Sequence, residues 1–163
     1  MVNLITALRL FLVVPVLLSL ENSLYVLAGI LIILAWISDW LDGMLARKSQ
    51  KTDFGAHFDP FVDKVFVLLV LSFFLSKGEI ELLPYVLLLF REFSASFLRS
   101  ESARALKSLP ASPLGKLKAG FEFLTLLSLC FGGPSETLLW LSVIFAYASL
   151  YEYAIKYWLL KDA

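Results

Sequence analysis

The sequence predicts an all-α integral membrane protein, a single domain over residues 1–163 in which six transmembrane helices form a bundle. Hydrophobic residues make up 60% of the chain, and its mean hydropathy is +0.82, whereas a soluble domain contains roughly 45–50% apolar residues. The apolar residues gather in long stretches between short polar connections, without the alternation that is typical of strands. Helices suit such stretches because a segment in lipid must satisfy its own backbone polar groups.

Six apolar stretches approach the roughly 17–25 residues that a membrane helix needs. In chain order they are residues 4–20, 24–45, 56–76, 82–98, 114–131 and 136–159. We expect the first to be a retained helix rather than a signal peptide, because no small-residue cleavage site precedes Glu21. Pro84 and Pro113 lie in first turns, where a missing N–H costs little, and Gly132-Gly133-Pro134 predicts a helix end.

The basic residues indicate which side of the membrane holds the termini. Six helices place both termini on one side, and every Lys and Arg except Lys77 falls toward that side. Cytoplasmic connections of membrane proteins carry the excess of Lys and Arg, so we expect both termini to be cytoplasmic. The formal net charge is zero, and bulk charge therefore predicts no partner.

Four carboxylates are predicted to meet just inside the cytoplasmic interface. Asp39 and Asp42 are spaced i,i+3 near the end of the second stretch, and Asp59 and Asp63 are spaced i,i+4 near the start of the third. Each pair therefore projects from one helix face, and the short connection 48–54 brings the two pairs to the same depth. Four carboxylates in a partly apolar site repel one another unless protons or cations compensate them. Hard oxygen ligands suit Mg²⁺ or Mn²⁺, and Ca²⁺ less specifically. Two such ions can clamp phosphoryl oxygens.

The neighbours of these carboxylates fit a phosphate-bearing ligand. Gly43 and Ala46 remove side-chain bulk from the helix face that carries the first pair. Arg47, one turn further on, offers a planar fork to a phosphate. Gly55 opens the third helix, whose positive N-terminal end faces the same place. Small residues, a guanidinium and a helix N-terminus thus surround the predicted metal ligands.

Together these residues form the string Asp39-x2-Asp42-Gly43-x2-Ala46-Arg47-x7-Gly55-x3-Asp59-x3-Asp63. The string resembles the signature of the CDP-alcohol phosphotransferase (CDP-alcohol phosphatidyltransferase) family, although its x7 spacing is one residue shorter than is usual there. A second likeness, to the family's N-terminal start, is Asn3-Leu4-x-Thr6-x2-Arg9. Segments similar to the bacterial phosphatidylglycerophosphate synthase branch are Arg91-Glu92-x3-Ser96-x2-Arg99, Gly115-Lys116-x-Lys118 and Asp59-Pro60-x2-Asp63-Lys64.

The resemblance implies transfer of a phosphatidyl group from CDP-diacylglycerol to an alcohol, with release of CMP, at the cytoplasmic face of the cell (inner) membrane. It implies that the protein is a homodimer and that two ions, Mg²⁺ or Mn²⁺, lie on Asp39, Asp42, Asp59 and Asp63, with Asp63 also serving as general base. The residues implied to bind CDP-diacylglycerol are Asn3, Thr6, Gly43, Arg47, Thr52 and Gly55. Thr52 has an alternative role, because Thr52 and Asp53 also fit the N-cap of the following helix.

Basic residues later in the chain select the acceptor. Arg91, Arg99, Lys116 and Lys118 are expected to hold a phosphate on the acceptor alcohol, although each also fits the basic fringe of any such protein. A basic pocket favours glycerol 3-phosphate or inositol phosphate over plain inositol or serine. Together with the branch resemblance, this predicts glycerol 3-phosphate.

Three alternatives accompany this interpretation: His57 as a general base, an ion or proton transporter, and a non-catalytic scaffold. His57 lies two residues before Asp59, so its side chain is turned about 200° from the helix face of Asp59 and Asp63. We therefore predict that it does not act as the general base. An ion or proton transporter is the rival from another class, because carboxylates within the membrane also mark ion pathways. Residues 24–33 and 65–75 are almost wholly apolar, however, and predict no exit on the far side. A non-catalytic scaffold would explain the helices but not the aspartate string.

Overall fold

A computed structural model describes residues 2–46, 53–104 and 112–161, with side chains over 9–38, 62–102 and 112–158. In this part of the chain there are six helices: α1 (Val2–Glu21), α2 (Tyr25–Ala46), α3 (Asp53–Ser76), α4 (Leu82–Arg104), α5 (Pro113–Phe131) and α6 (Ser135–Lys161). No strand occurs within those ranges. The prediction of an all-α chain with six helices is therefore confirmed.

The observed helices are longer than the predicted apolar stretches at several ends. α4 continues to Arg104 rather than residue 98, and α3 begins at Asp53 rather than residue 56. Hydropathy measures the apolar part of a helix, whereas the helix itself continues into polar residues as long as its backbone hydrogen bonds are made. The predicted bounds therefore mark apolar segments and not helix ends.

Among the described residues, one helix is both long and apolar enough to cross a membrane by length and composition, α6 over Ser135–Trp158. A shorter apolar stretch covers Tyr25–Ser38 in α2. Charged side chains such as Arg91 in α4 and Lys118 in α5 interrupt the apolar stretches of those helices. This result does not test the prediction that all six helices cross the membrane, nor the prediction that the termini are cytoplasmic.

Two compact units divide the chain. The first comprises Met1–Ile80 and Leu126–Gly133, and in it α1 packs against both α2 and α3. Its core is apolar, with Ile32, Phe66 and Phe74 fully buried. α1 therefore lies beside both helices that carry the predicted metal ligands.

The second unit comprises Glu81–Thr125 and Pro134–Ala163, and in it α4 packs against α6. The rings of Phe121 and Phe145 stack with their centroids 5.2 Å apart and link α5 to α6. Several charged residues are buried in this unit, among them Arg91, Glu92 and Lys118. Its interior contains these charges together with apolar residues such as Leu88 and Leu139, and each buried charge requires a hydrogen-bond or ionic partner.

Candidate functional site

The four aspartates of the predicted metal site lie on two helices of the first unit. Asp39 and Asp42 are in the last turns of α2, and Asp59 and Asp63 are in the first half of α3. The side chains of Asp39, Asp42 and Asp59 lie outside the described side chains. No group of three or more His, Cys, Asp or Glu close enough to hold a metal ion occurs among the residues that are described. The predicted site remains a prediction, because the side chains of three of its four ligands lie outside that part of the chain.

Asp63 is bound by Arg9 of α1. The Arg9 guanidinium donates from Nη1 to Oδ1 of Asp63 and forms an ion pair with it. Its Nε donates to Oγ of Ser38 on α2, 3.3 Å away. The Arg9 side chain is 1% exposed, whereas that of Asp63 is 30% exposed. The buried guanidinium of Arg9 therefore connects α1 to two helices. It contacts α3 at Asp63, a predicted metal ligand, and α2 at Ser38, the residue before Asp39.

Arg9 is the site residue that the sequence did not assign. It belongs to the N-terminal segment that resembles the family start, but nothing in that segment names Asp63 as its partner. Thr6 is three residues earlier, so the two positions share one face of α1. This shared face is the signal that places Arg9 with the predicted CDP-diacylglycerol residues.

Four of the predicted CDP-diacylglycerol residues have described backbone positions only. Asn3 and Thr6 lie in α1, Gly43 in α2 and Gly55 in α3. Arg47 and Thr52 lie outside the described residues, so neither the substrate role nor the capping role of Thr52 is tested. The side chain of His57 is also outside that part of the chain.

The predicted acceptor-phosphate residues lie in the second unit, and two of them are buried. Arg91 donates from Nε to the carbonyl oxygen of Ala146, 3.0 Å away, and from Nη2 to Oγ of Ser149, both on α6. Its Nη1 is 2.6 Å from Oε1 of Glu92. Lys118, in α5, is 2.6 Å from the same oxygen. Arg91 and Lys118 therefore converge on one carboxylate.

The other two predicted acceptor residues differ in their surroundings. Lys116 is exposed in the first turns of α5. Arg99 donates from Nη2 to Oη of Tyr153, 2.6 Å away, and its guanidinium carbon lies 4.9 Å from the centroid of that ring. The backbone N–H of Ser112 donates to the same Tyr153 oxygen at 3.1 Å, and Oγ of Ser112 hydrogen-bonds to Glu152. Tyr153 thus holds Arg99 beside the start of α5.

The first turn of α5 is the place where these groups come nearest to one another. A Cβ added to Gly115 would lie 3.9 Å from Oη of Tyr153 and 4.0 Å from Nη2 of Arg91. The start of α5 therefore lies close to the guanidinium of Arg91. Guanidinium groups and the positive end of a helix both favour an anion, so this region can bind a phosphate.

The Arg9–Asp63 pair gives a prediction that a double-mutant cycle tests. Arg9→Met, Asp63→Asn and the double variant should yield a coupling free energy of unfolding of about 1–3 kcal/mol, because one partner is buried. Stability would be measured by denaturation of the purified protein in detergent.

A matched control is the exposed pair of Lys77 and Glu21, whose charged atoms are 3.5 Å apart. Lys77→Met and Glu21→Gln should couple by about 0.2–1 kcal/mol, as exposed ion pairs do. Equal coupling in the two cycles would contradict the structural role assigned to Arg9.

Comparison with known proteins gives one consistent result. A family model described as CDP-alcohol phosphatidyltransferase matches residues 1–148. A protein of Rickettsia typhi is 37% identical over 137 residues, which cover 81% of this chain and 77% of the relative. A protein of Rickettsia felis is 34% identical over 146 residues, covering 87% and 81%, and one of Bacillus subtilis is 34% identical over 146 residues, covering 81% and 74%. All three are named CDP-diacylglycerol–glycerol-3-phosphate 3-phosphatidyltransferase. With most of its length matched by the family model and by relatives above 30% identity, the chain belongs to the CDP-alcohol phosphatidyltransferase family.

Proposed function

We propose that this protein transfers a phosphatidyl group from CDP-diacylglycerol to glycerol 3-phosphate. The observation that carries the proposal is the family match over residues 1–148, which includes both the aspartate string and the basic segments. The names of the relatives specify this donor and this acceptor. In the reaction the acceptor hydroxyl oxygen bonds to the phosphorus next to diacylglycerol, the pyrophosphate P–O bond breaks, and CMP leaves.

The proposed donor set fits two divalent ions. Asp39, Asp42, Asp59 and Asp63 offer carboxylate oxygens, the ligands that Mg²⁺ and Mn²⁺ prefer. Arg9 supports their proximity, because its single side chain contacts Ser38, next to Asp39, and Asp63. When bound, the ions would neutralise the charge that develops on the pyrophosphate oxygens and on CMP.

Asp63 is proposed as the general base that takes the acceptor's hydroxyl proton. A hydroxyl is a poor nucleophile while it is protonated, so a carboxylate within hydrogen-bond reach is needed. Asp63 is partly exposed, which leaves it accessible to an acceptor, and its contact with Arg9 orients the carboxylate. The Arg9 side chain thereby acts as a positioning group.

The remaining predicted residues hold the two substrates in this scheme. CDP-diacylglycerol would lie against Asn3, Thr6, Gly43, Arg47, Thr52 and Gly55. The phosphate of the acceptor would bind to Arg91, Arg99, Lys116 and Lys118. The alternative acceptors are inositol phosphate, inositol and serine, and the names of the relatives favour glycerol 3-phosphate over them.

All six helices are proposed to cross the cell (inner) membrane, with the termini and the active site at the cytoplasmic face. The distribution of Lys and Arg supports this orientation. Large apolar side chains that are exposed on several helices, such as Phe11, Ile30 and Ile144, also support contact with lipid. CDP-diacylglycerol would then keep its acyl chains in the bilayer and its CDP group at the interface.

A homodimer is also proposed, and α4 offers a surface for it. Five exposed apolar residues follow one another at spacings of three and four along α4: Leu83, Val86, Phe90, Phe93 and Phe97. Their exposed fractions range from 44% to 68%. This spacing forms a single stripe that faces one direction, as in a helix–helix seam. Two copies of the chain would cover it by pairing their α4 helices.

An acceptor panel tests the proposed reaction. Purified protein with CDP-diacylglycerol should release CMP with glycerol 3-phosphate, and much less with serine or inositol, because the basic residues favour a phosphorylated alcohol. It should also release less with inositol phosphate, because the names of the relatives specify glycerol 3-phosphate. Product formation with serine and not with glycerol 3-phosphate would contradict the acceptor. Absence of CMP release with every alcohol would favour the transporter alternative.

The general base has its own test. Asp63→Asn should lower kcat by about 10²–10⁴-fold, because an amide cannot accept the proton. Glu79→Gln, a change at an exposed carboxylate just after α3, serves as the control and should leave kcat unchanged. Circular dichroism and gel filtration would establish that both variants fold. A folded Asp63→Asn variant with near-normal kcat would exclude Asp63 as the base.

Metal removal tests the ions independently of Asp63. Chelation should abolish CMP release, and addition of Mg²⁺ or Mn²⁺ should restore it, because the four carboxylates cannot stabilise the leaving group without cations. Full activity of exhaustively chelated protein would contradict the two-ion proposal.

A further inference from the structure

Two cations of the second unit share one carboxylate oxygen. Nη1 of Arg91 and Nζ of Lys118 are each 2.6 Å from Oε1 of Glu92. Lys118 is also 2.8 Å from Oε2 of Glu122, one turn further along α5. All four side chains are buried. Glu92 therefore connects α4 to α5 through its ion pair with Lys118.

Arg91 also forms hydrogen bonds with α6. Its Nε and Nη2 donate to the carbonyl oxygen of Ala146 and to Oγ of Ser149. A guanidinium has five N–H bonds, and three of those of Arg91 are directed to Glu92, Ala146 and Ser149. The other donors belong to Nη1 and Nη2, and Nη2 lies beside Gly115 at the start of α5. An anion that enters there meets Arg91 next to the atoms that already bind Glu92.

The formal charges of this cluster cancel, because it contains two cations and two carboxylates. A phosphate dianion that approaches Arg91 and Lys118 therefore gains attraction from the cations and repulsion from Glu92. Glu92 occupies Nη1 of Arg91 and Nζ of Lys118, so a phosphate that binds at Nη2 of Arg91 lies next to this carboxylate and competes with it for the charge of the two cations. Like charges a few ångströms apart in a buried site interact strongly.

We infer that Glu92 is an internal counter-anion that competes with the acceptor's phosphate for Arg91 and Lys118, and so sets the affinity for the acceptor. The inference rests on the proposed function, in which these two cations bind that phosphate. The lipid product retains the phosphate of the acceptor. A cluster without Glu92 would therefore bind the product tightly too, through the same phosphate. Glu92 thus favours release of the product.

The sign of the effect separates this role from a purely structural one. Loss of Glu92 removes a negative charge close to the bound dianion, which tightens binding. Loss of a residue that only holds the cations in place would weaken binding. Glu92→Gln separates the two effects, because the amide keeps an oxygen that can accept from Arg91 and Lys118 while the negative charge is lost.

The experiment is Glu92→Gln in the full-length protein. KM for glycerol 3-phosphate should fall about tenfold, and its Kd, measured by isothermal titration calorimetry without CDP-diacylglycerol, should fall by a similar factor. Inorganic phosphate should become a stronger competitive inhibitor against glycerol 3-phosphate. KM for CDP-diacylglycerol should stay within about twofold, because its proposed residues lie in the first unit.

Glu122→Gln is the matched comparison, because the Glu122 carboxylate contacts Lys118, whereas the Glu92 carboxylate contacts both Lys118 and Arg91. It should change KM for glycerol 3-phosphate by less than about threefold. Should Glu92→Gln fail to fold, Glu92→Asp, which withdraws the carboxylate by one methylene, should lower the same KM to a smaller extent. An unchanged or higher Kd for glycerol 3-phosphate in a folded Glu92 variant overturns the inference while the proposed function stands. Wild-type protein that neither binds nor uses glycerol 3-phosphate overturns the proposed function, and the inference with it.

Discussion

A charge inside an apolar helix bundle must meet an opposite charge or a hydrogen-bond acceptor, because transfer of an unpaired ion from water is very costly. The described parts of both units follow this constraint. Arg9 is buried and binds Asp63 in the first unit. Arg91 and Lys118 are buried and bind Glu92 in the second. The pairs of Arg9 with Asp63 and of Lys118 with Glu92 connect separate helices, and Asp63, Arg91 and Lys118 are among the predicted site residues.

The first unit shows how the constraint positions a site. The described side chains of α1 are apolar except for Arg9, Ser19 and the terminal Glu21, yet α1 packs against the two helices that carry the aspartates. The guanidinium of Arg9 contacts both of them, so the apolar packing of α1 and the polar contacts of Arg9 act together. α1, which carries no proposed metal ligand, thereby orients α3 through the contact of Arg9 with Asp63.

The second unit uses the same principle for a different purpose. Its buried residues include charged and hydroxyl side chains, while phenylalanines of α4 are exposed. The exposed phenylalanines agree with a helix that has lipid or another helix at its outer face. A polar interior that is already paired can bind a charged substrate only in competition with its own counter-ions. Affinity for such a substrate is then a property of the whole cluster.

The sequence alone determined the all-α class, the number of helices and the membership of the family, because these depend on local features. Apolar stretches of a given length, helical spacing of Asp39, Asp42, Asp59 and Asp63, and turn residues between them can all be read along the chain. Helix ends were less predictable, since hydropathy follows the apolar part and α4 continues through polar residues to Arg104.

Only the tertiary structure decided the partners of the buried charges. Arg9 and Asp63 are 54 positions apart, and Lys118 and Glu92 are 26 apart, so no spacing rule connects them. The sequence predicted Arg91 and Lys118 as ligands of the acceptor's phosphate, and the structure adds that both contact Glu92. The physical reason is that a cation in a buried site takes the nearest anion, and which anion is nearest depends on how separate helices pack.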